Sequence, residues 1–137
     1  MSRRALLALA LAVPALGALA QPAAPSCPAA TDVAQRHLVG LWRAEFDGGN
    51  PGATLLLEPH PEYADGLRGA INRNGERALL AGDADQGEFT LEESANGTSI
   101  SAVWLGDIVE GSCGREIRGT WKAEGDPRTR AFVLRRQ

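Results

Sequence analysis

Two cysteines and two histidines are the side chains of this 137-residue chain best suited to covalent or metal chemistry, and their spacing argues against both. Cys27 and Cys113 lack the Cys-x-x-Cys arrangement that tunes a thiolate for redox work. His37 and His60 have no Cys or His partner at zinc-ligand spacing. His60 stands between Pro59 and Pro61 in a turn, and His37 precedes the first expected strand. Asp83-Ala84-Asp85-Gln86-Gly87-Glu88 opens like the Asp-x-Asp-x-Gly of a calcium loop, but it lacks the third loop carboxylate and a bidentate Glu at the required distance. It reads as a polar hairpin. No Gly-x-Ser-x-Gly elbow, phosphate loop or dinucleotide fingerprint occurs. With 17 acidic residues in the chain, chance carboxylate pairs are expected and none stands out. The sequence therefore predicts no catalytic residue, no metal site and no cofactor. It reads as a binder, not an enzyme.

Binding depends on which side chains the fold brings together. Gly40-Leu41-Trp42-Arg43-Ala44-Glu45-Phe46 opens the pattern: Trp42, Ala44 and Phe46 alternate with Leu41, Arg43 and Glu45. One face can be buried and the other wetted. Eight such runs are expected, at 40–47, 53–58, 66–73, 76–82, 87–94, 99–106, 114–123 and 129–136. Asn74-Gly75 and Asn96-Gly97 are hairpin signals, because both residues tolerate positive φ. Alternation places Leu55, Leu57, Leu67, Gly69, Ile71, Phe89, Leu91, Ile100, Ala102, Trp104, Ile117, Gly119, Trp121, Phe132 and Leu134 inward. Arg68, Thr90, Ser101, Arg118, Lys122 and Arg135 fall on the other face. The run Arg77-Ala78-Leu79-Leu80-Ala81 is ambiguous in phase. Leu67-Arg68-Gly69-Ala70-Ile71 matches Ile117-Arg118-Gly119-Thr120-Trp121, as equivalent strands of a meander would. The fold class is all-β: an eight-stranded antiparallel up-and-down barrel, which leaves no free edge. A β-sandwich is the alternative.

Residues 1–20 read as a signal peptide. Arg3 and Arg4 form its charged start, Ala5 to Ala12 its apolar run, and Ala18-Leu19-Ala20 its cleavage site. The apolar run is too short for a transmembrane helix. Residues 21–35 are expected to be an extended N-terminal segment, with a short helix over 31–38 capped by Thr31 or Asp32. Residues 36–137 form the single barrel domain. Loss of the leader would leave 12 of the 14 basic residues against 17 acidic ones, a net charge of −5. With no basic cluster except the tail Arg135-Arg136, nucleic-acid binding and attachment to anionic membrane are disfavoured. An exported chain with one pair of cysteines is expected to bridge Cys27 to Cys113. Periplasmic or secreted localisation follows.

Three features give a resemblance to the calycins, the lipocalin and avidin-like barrels. A short helix leads into Gly40-Leu41-Trp42, similar to the Gly-x-Trp that opens those families. The last run ends Phe132-Val133-Leu134-Arg135-Arg136, where lipocalins place a basic side chain over the first-strand Trp. Eight strands in about 100 residues resemble avidin more than the longer lipocalins. Trp104 and Trp121 fall where avidins carry strand tryptophans. Ile71 stands where the avidin ligand-binding Tyr would fall, so the resemblance does not carry biotin binding.

In such a barrel Cys27 and Cys113 share one end, which Trp42, Trp104 and Leu134 would plug. The opposite, open end would be lined by Phe46, Ile71, Trp121 and Phe132, with Asn72, Arg73 and Lys122 as nearby polar groups. These seven are the candidate ligand-binding residues, and a small apolar or flat molecule is the expected ligand. The alternative is a protein-binding module, such as an inhibitor of a secreted or cell-wall-active enzyme, using the Gly-rich loops 47–53 and 106–114. A structural role in the envelope is the third reading.

Overall fold

Apolar residues at every second position in eight segments can share one buried interior when the strands close on themselves, and they do. The computed structural model describes residues 10–19 and 27–137. The strands are β1 (Gly40–Phe46), β2 (Ala53–Pro59), β3 (Leu67–Arg73), β4 (Glu76–Asp85), β5 (Glu88–Ser94), β6 (Ala102–Ile108), β7 (Glu116–Ala123) and β8 (Arg130–Arg136). Each pairs antiparallel with its sequence neighbour, and β8 pairs with β1 from Trp42–Arg136 to Phe46–Phe132. The all-β, closed eight-stranded barrel expected from the sequence is the observed fold.

Its interior is filled. Trp42, Leu55, Leu57, Phe89, Leu91, Trp104, Ile117, Phe132 and Leu134 are all at least 98 % buried. An eight-stranded barrel is only wide enough for such side chains. The phase of β4 is set by Leu80, buried with Ala78 and Ala84 packed on the core, while Leu79 points out. The matching segments of β3 and β7 share one local reason. A Cβ at Gly69 would overlap the Leu56 carbonyl oxygen, and one at Gly119 the Leu105 carbonyl oxygen. Strands coil this closely only past glycine.

The turns bear out two expectations and correct a third. Asn74-Gly75 is a two-residue hairpin with φ of 50° and 93°. Gln86-Gly87 is another, with φ of 49° and 83°, and it makes the Asp83–Glu88 stretch a polar hairpin. Asn96-Gly97 is not a two-residue hairpin. Asn96 Oδ1 instead accepts the backbone N–H groups of Thr98 and Ser99 and organises a longer loop. β6 consequently begins at Ala102, not at 99, and Ile100 is exposed instead of inward. The shift also moves Trp104. It lies near the start of β6, stacked 5.3 Å from Phe46 and 4.8 Å from Phe132 (ring centroids). It therefore belongs to the open half of the barrel and does not plug the end near Trp42.

That other end is closed by the N-terminal segment. The expected single helix over 31–38 is instead a 3₁₀ turn (Ala30–Asp32) and a one-turn helix α1 (Gln35–Leu38). Val33 and Leu38 are both buried, yet five helical positions would separate them by about 140°. An extended link through Val33 and Ala34 aims both at the core. Neither Thr31 nor Asp32 caps a helix; the Ala34 N–H is bound by His37 Nδ1 at 2.9 Å. Trp42 Nε1 donates to the Leu38 carbonyl at 2.8 Å, and the Arg136 guanidinium donates to the carbonyls of His37 and Val39 at 3.2 and 2.7 Å. Cys27 and Cys113 form the expected disulfide, which ties this segment to the β6–β7 loop. Glu110 of the same loop accepts the Ala30 N–H at 2.8 Å.

The leader elements Arg3, Arg4 and Ala20, and part of the extended stretch 21–35, lie outside the described residues. Residues 10–19 are exposed and without regular structure. Among the described residues no helix is long and apolar enough to cross a membrane.

Candidate functional site

The last inward position of several strands is polar at the open end, in a barrel whose other inward positions are apolar. Period-two alternation carries Leu67 and Ile71 on to Arg73 in β3. It carries Phe89 and Leu91 on to Glu93 in β5, and places Arg130 ahead of Phe132 in β8. Glu93 is 97 % buried and is the one buried charged residue among those described. Ala102 stands opposite it, and Ala123 opposite Ala102, so small side chains leave room for the carboxylate.

Burying a carboxylate costs several kcal/mol unless its oxygens are bonded and its charge is paired. Both conditions are met. Arg73 grips it with both terminal nitrogens, Nη1 to Oε2 at 3.0 Å and Nη2 to Oε1. Oε1 also accepts Trp104 Nε1 at 2.8 Å and Trp121 Nε1 at 3.3 Å. The indole N–H groups of two core-facing tryptophans thus find their partner in one carboxylate. Above it the Arg73 guanidinium carbon lies 5.2 Å from the Trp121 ring centroid and 6.0 Å from that of Phe46. Arg130, directly across from Trp121 in the β7–β8 ladder, places its guanidinium carbon 5.4 Å from the same indole.

Over this cluster opens a pocket of about 360 Å³, lined by Phe46, Pro51, Arg73, Asn74, Glu76, Trp121 and Arg130. A larger depression of about 830 Å³ runs along the outer wall between the N-terminal segment and β4. Its lining holds no buried polar side chain, whereas Glu93 lies directly under the mouth, so the mouth is the better built site. Near the rim, the Asp126 carboxyl is held below its ordinary value, chiefly by the side-chain hydrogen bond from Arg128 and in smaller part by the charge of Arg130. Among the described residues, no group of three or more His, Cys, Asp or Glu side chains could hold a metal ion.

Of the seven residues expected at the open end, Phe46, Arg73 and Trp121 line the mouth together. Ile71 and Phe132 are at the correct end but lie beneath it, 1 % and 2 % exposed. Asn72 is exposed on the outer wall, where its Oδ1 accepts the Gly75 N–H at 2.8 Å. Lys122 is exposed opposite Val103. Neither Asn72 nor Lys122 lines the pocket, because each is adjacent in a strand to an inward residue and so points away. Glu93 and Arg130 were not anticipated, although alternation marks both.

The buried ion pair makes a measurable demand on the fold. Glu93→Leu leaves Arg73 without its counter-ion and the buried Trp104 N–H without an acceptor. Urea denaturation is expected to show a loss of about 2–4 kcal/mol. Arg73→Met added to Glu93→Leu should recover part of it, since the unpaired charge is gone. A single variant as stable as the parent would contradict the bonding described.

No protein-family model matches the chain, and no curated protein is significantly similar to it.

Proposed function

We propose that this protein is an exported binding barrel, calycin-like in design, that takes a small flat ligand at its open end. Its mouth sets a half-buried indole beside two guanidiniums, over a buried carboxylate, in an otherwise apolar interior. A buried ion pair is often no more stabilising than a hydrophobic pair of like volume, so its placement calls for a use beyond stability. A few fixed polar groups among aromatic walls is the ordinary make-up of a ligand site, and 360 Å³ stands at the small end of the range. The pocket suits a single-ring molecule, because the core beneath is filled. The Arg136 fork beside Gly40 and Trp42 supports the calycin-like reading, and the disulfide supports export to the periplasm or beyond. Fixed polar groups beside an exposed aromatic edge recognise by shape and charge, which supports a binder.

Tryptophan emission tests this. Ligands that enter the mouth should quench or shift emission in the parent and in Trp42→Phe, whose indole lies at the far end, but not in Trp121→Phe. Trp104 is no control here, since it bonds Glu93. Ligand signals that all survive Trp121→Phe would sink the mouth as the site. The protein-binding alternative draws support from the filled core and from the exposed 47–52 loop, whose Pro51 stands at the rim. It predicts a partner that binds unchanged when Trp121 and Arg73 are both replaced.

A further inference from the structure

We infer that the mouth recognises an anion, and specifically the carboxylate of a planar single-ring ligand held between Arg130 and the outer edge of Arg73; this rests on the mouth being a ligand site. A guanidinium has five N–H donors. Arg73 gives two to Glu93 and has no other acceptor among the described residues. Its side chain is 27 % exposed, so its remaining donors border the pocket. Glu93 fixes the fork from behind and acts as a positioning residue. Arg130 forms no ion pair or side-chain hydrogen bond among the described residues, while Asp126 is engaged by Arg128. Both guanidinium carbons lie within 5.4 Å of the Trp121 centroid, so a ring stacked near that indole would bring a carboxylate within reach of both.

A cationic ligand is disfavoured by the same count. Glu93 already accepts four N–H bonds, three of them on Oε1, so a cation would have to displace Arg73. It would also face Arg130. The one carboxylate that lines the pocket, Glu76, is exposed, and water screens it. Charge-assisted bonds to a carboxylate are about twice as strong as those to a neutral group, and a tenfold preference needs only about 1.4 kcal/mol.

Benzoate, benzamide and benzamidine share a ring and differ in charge, and they form the test. Titrated against the full mature protein at fixed ionic strength, with Trp emission and calorimetry as readouts, benzoate should bind at least tenfold tighter than benzamide. Added salt should weaken benzoate more than benzamide. Arg130→Gln should bring the benzoate-to-benzamide ratio close to one. Equal binding of benzoate and benzamide, an unchanged ratio in Arg130→Gln, or a preference for benzamidine would overturn the anion assignment while leaving the mouth as a site. If none of the three perturbs Trp121, the mouth reading fails and the anion assignment with it.

Discussion

Reducing the Cys27–Cys113 bridge is expected to cost this protein about 4–5 kcal/mol of folding stability, the largest single loss anticipated. The bond joins residues 86 positions apart, and a cross-link over so long a loop removes much of the entropy of the unfolded chain. It also pins the segment that carries Val33 and Leu38 into the barrel end, so the native state loses a tether as the denatured state gains freedom. The experiment is a pair of urea denaturation curves with and without reductant, checked against a Cys27→Ser/Cys113→Ser double variant. The double variant should match the reduced parent. Free thiols in the unreduced protein, or curves that superimpose, would refute it.

Trp42→Ala is expected to cost about 3–5 kcal/mol, the usual toll of emptying a fully buried tryptophan site. Trp42 is wholly buried and its Nε1 is bonded to the Leu38 carbonyl. Removing the indole opens a cavity between α1 and the barrel and frees an acceptor that holds α1 in place. Trp121→Ala should cost less than half as much, since that indole is only partly buried and borders the pocket. The two denaturation midpoints, measured side by side, check the polarity of the barrel. Equal losses would mean that the two ends have been told apart wrongly.

Much of this was written in the sequence because strands are legible when alternation is clean. Leu55, Leu57, Phe89, Leu91, Ile117 and Leu134 face inward as their spacing requires. The disulfide followed from two cysteines that flank one end. What alternation could not supply was where a strand begins. The Asn96 side chain satisfies backbone donors that would otherwise join the ladder, so β6 starts three residues late and Trp104 changes ends. Nearness in sequence also misled: Asn72 and Lys122 follow inward residues, and a period of two turns each to the outer wall. The sequence hides Glu93 for the opposite reason. A carboxylate near a strand end reads as solvent-facing, and only the three-dimensional meeting of Arg73 with two indoles reveals why it is buried.

The closure of β8 on β1 also sets an order of events in folding. Seven of the eight ladders join strands adjacent in the chain, and these can zip as hairpins while the polypeptide is still being delivered. The eighth cannot. β1 must wait for Arg130–Arg136, which brings Phe132, Leu134 and the Arg136 fork, and pairing across so long a separation carries the slow, entropically costly step. Both cysteines precede that strand, so the oxidising step can occur on an open sheet, before the barrel exists. In a chain delivered from its N-terminus, both cysteines are therefore present before the strand that closes the barrel.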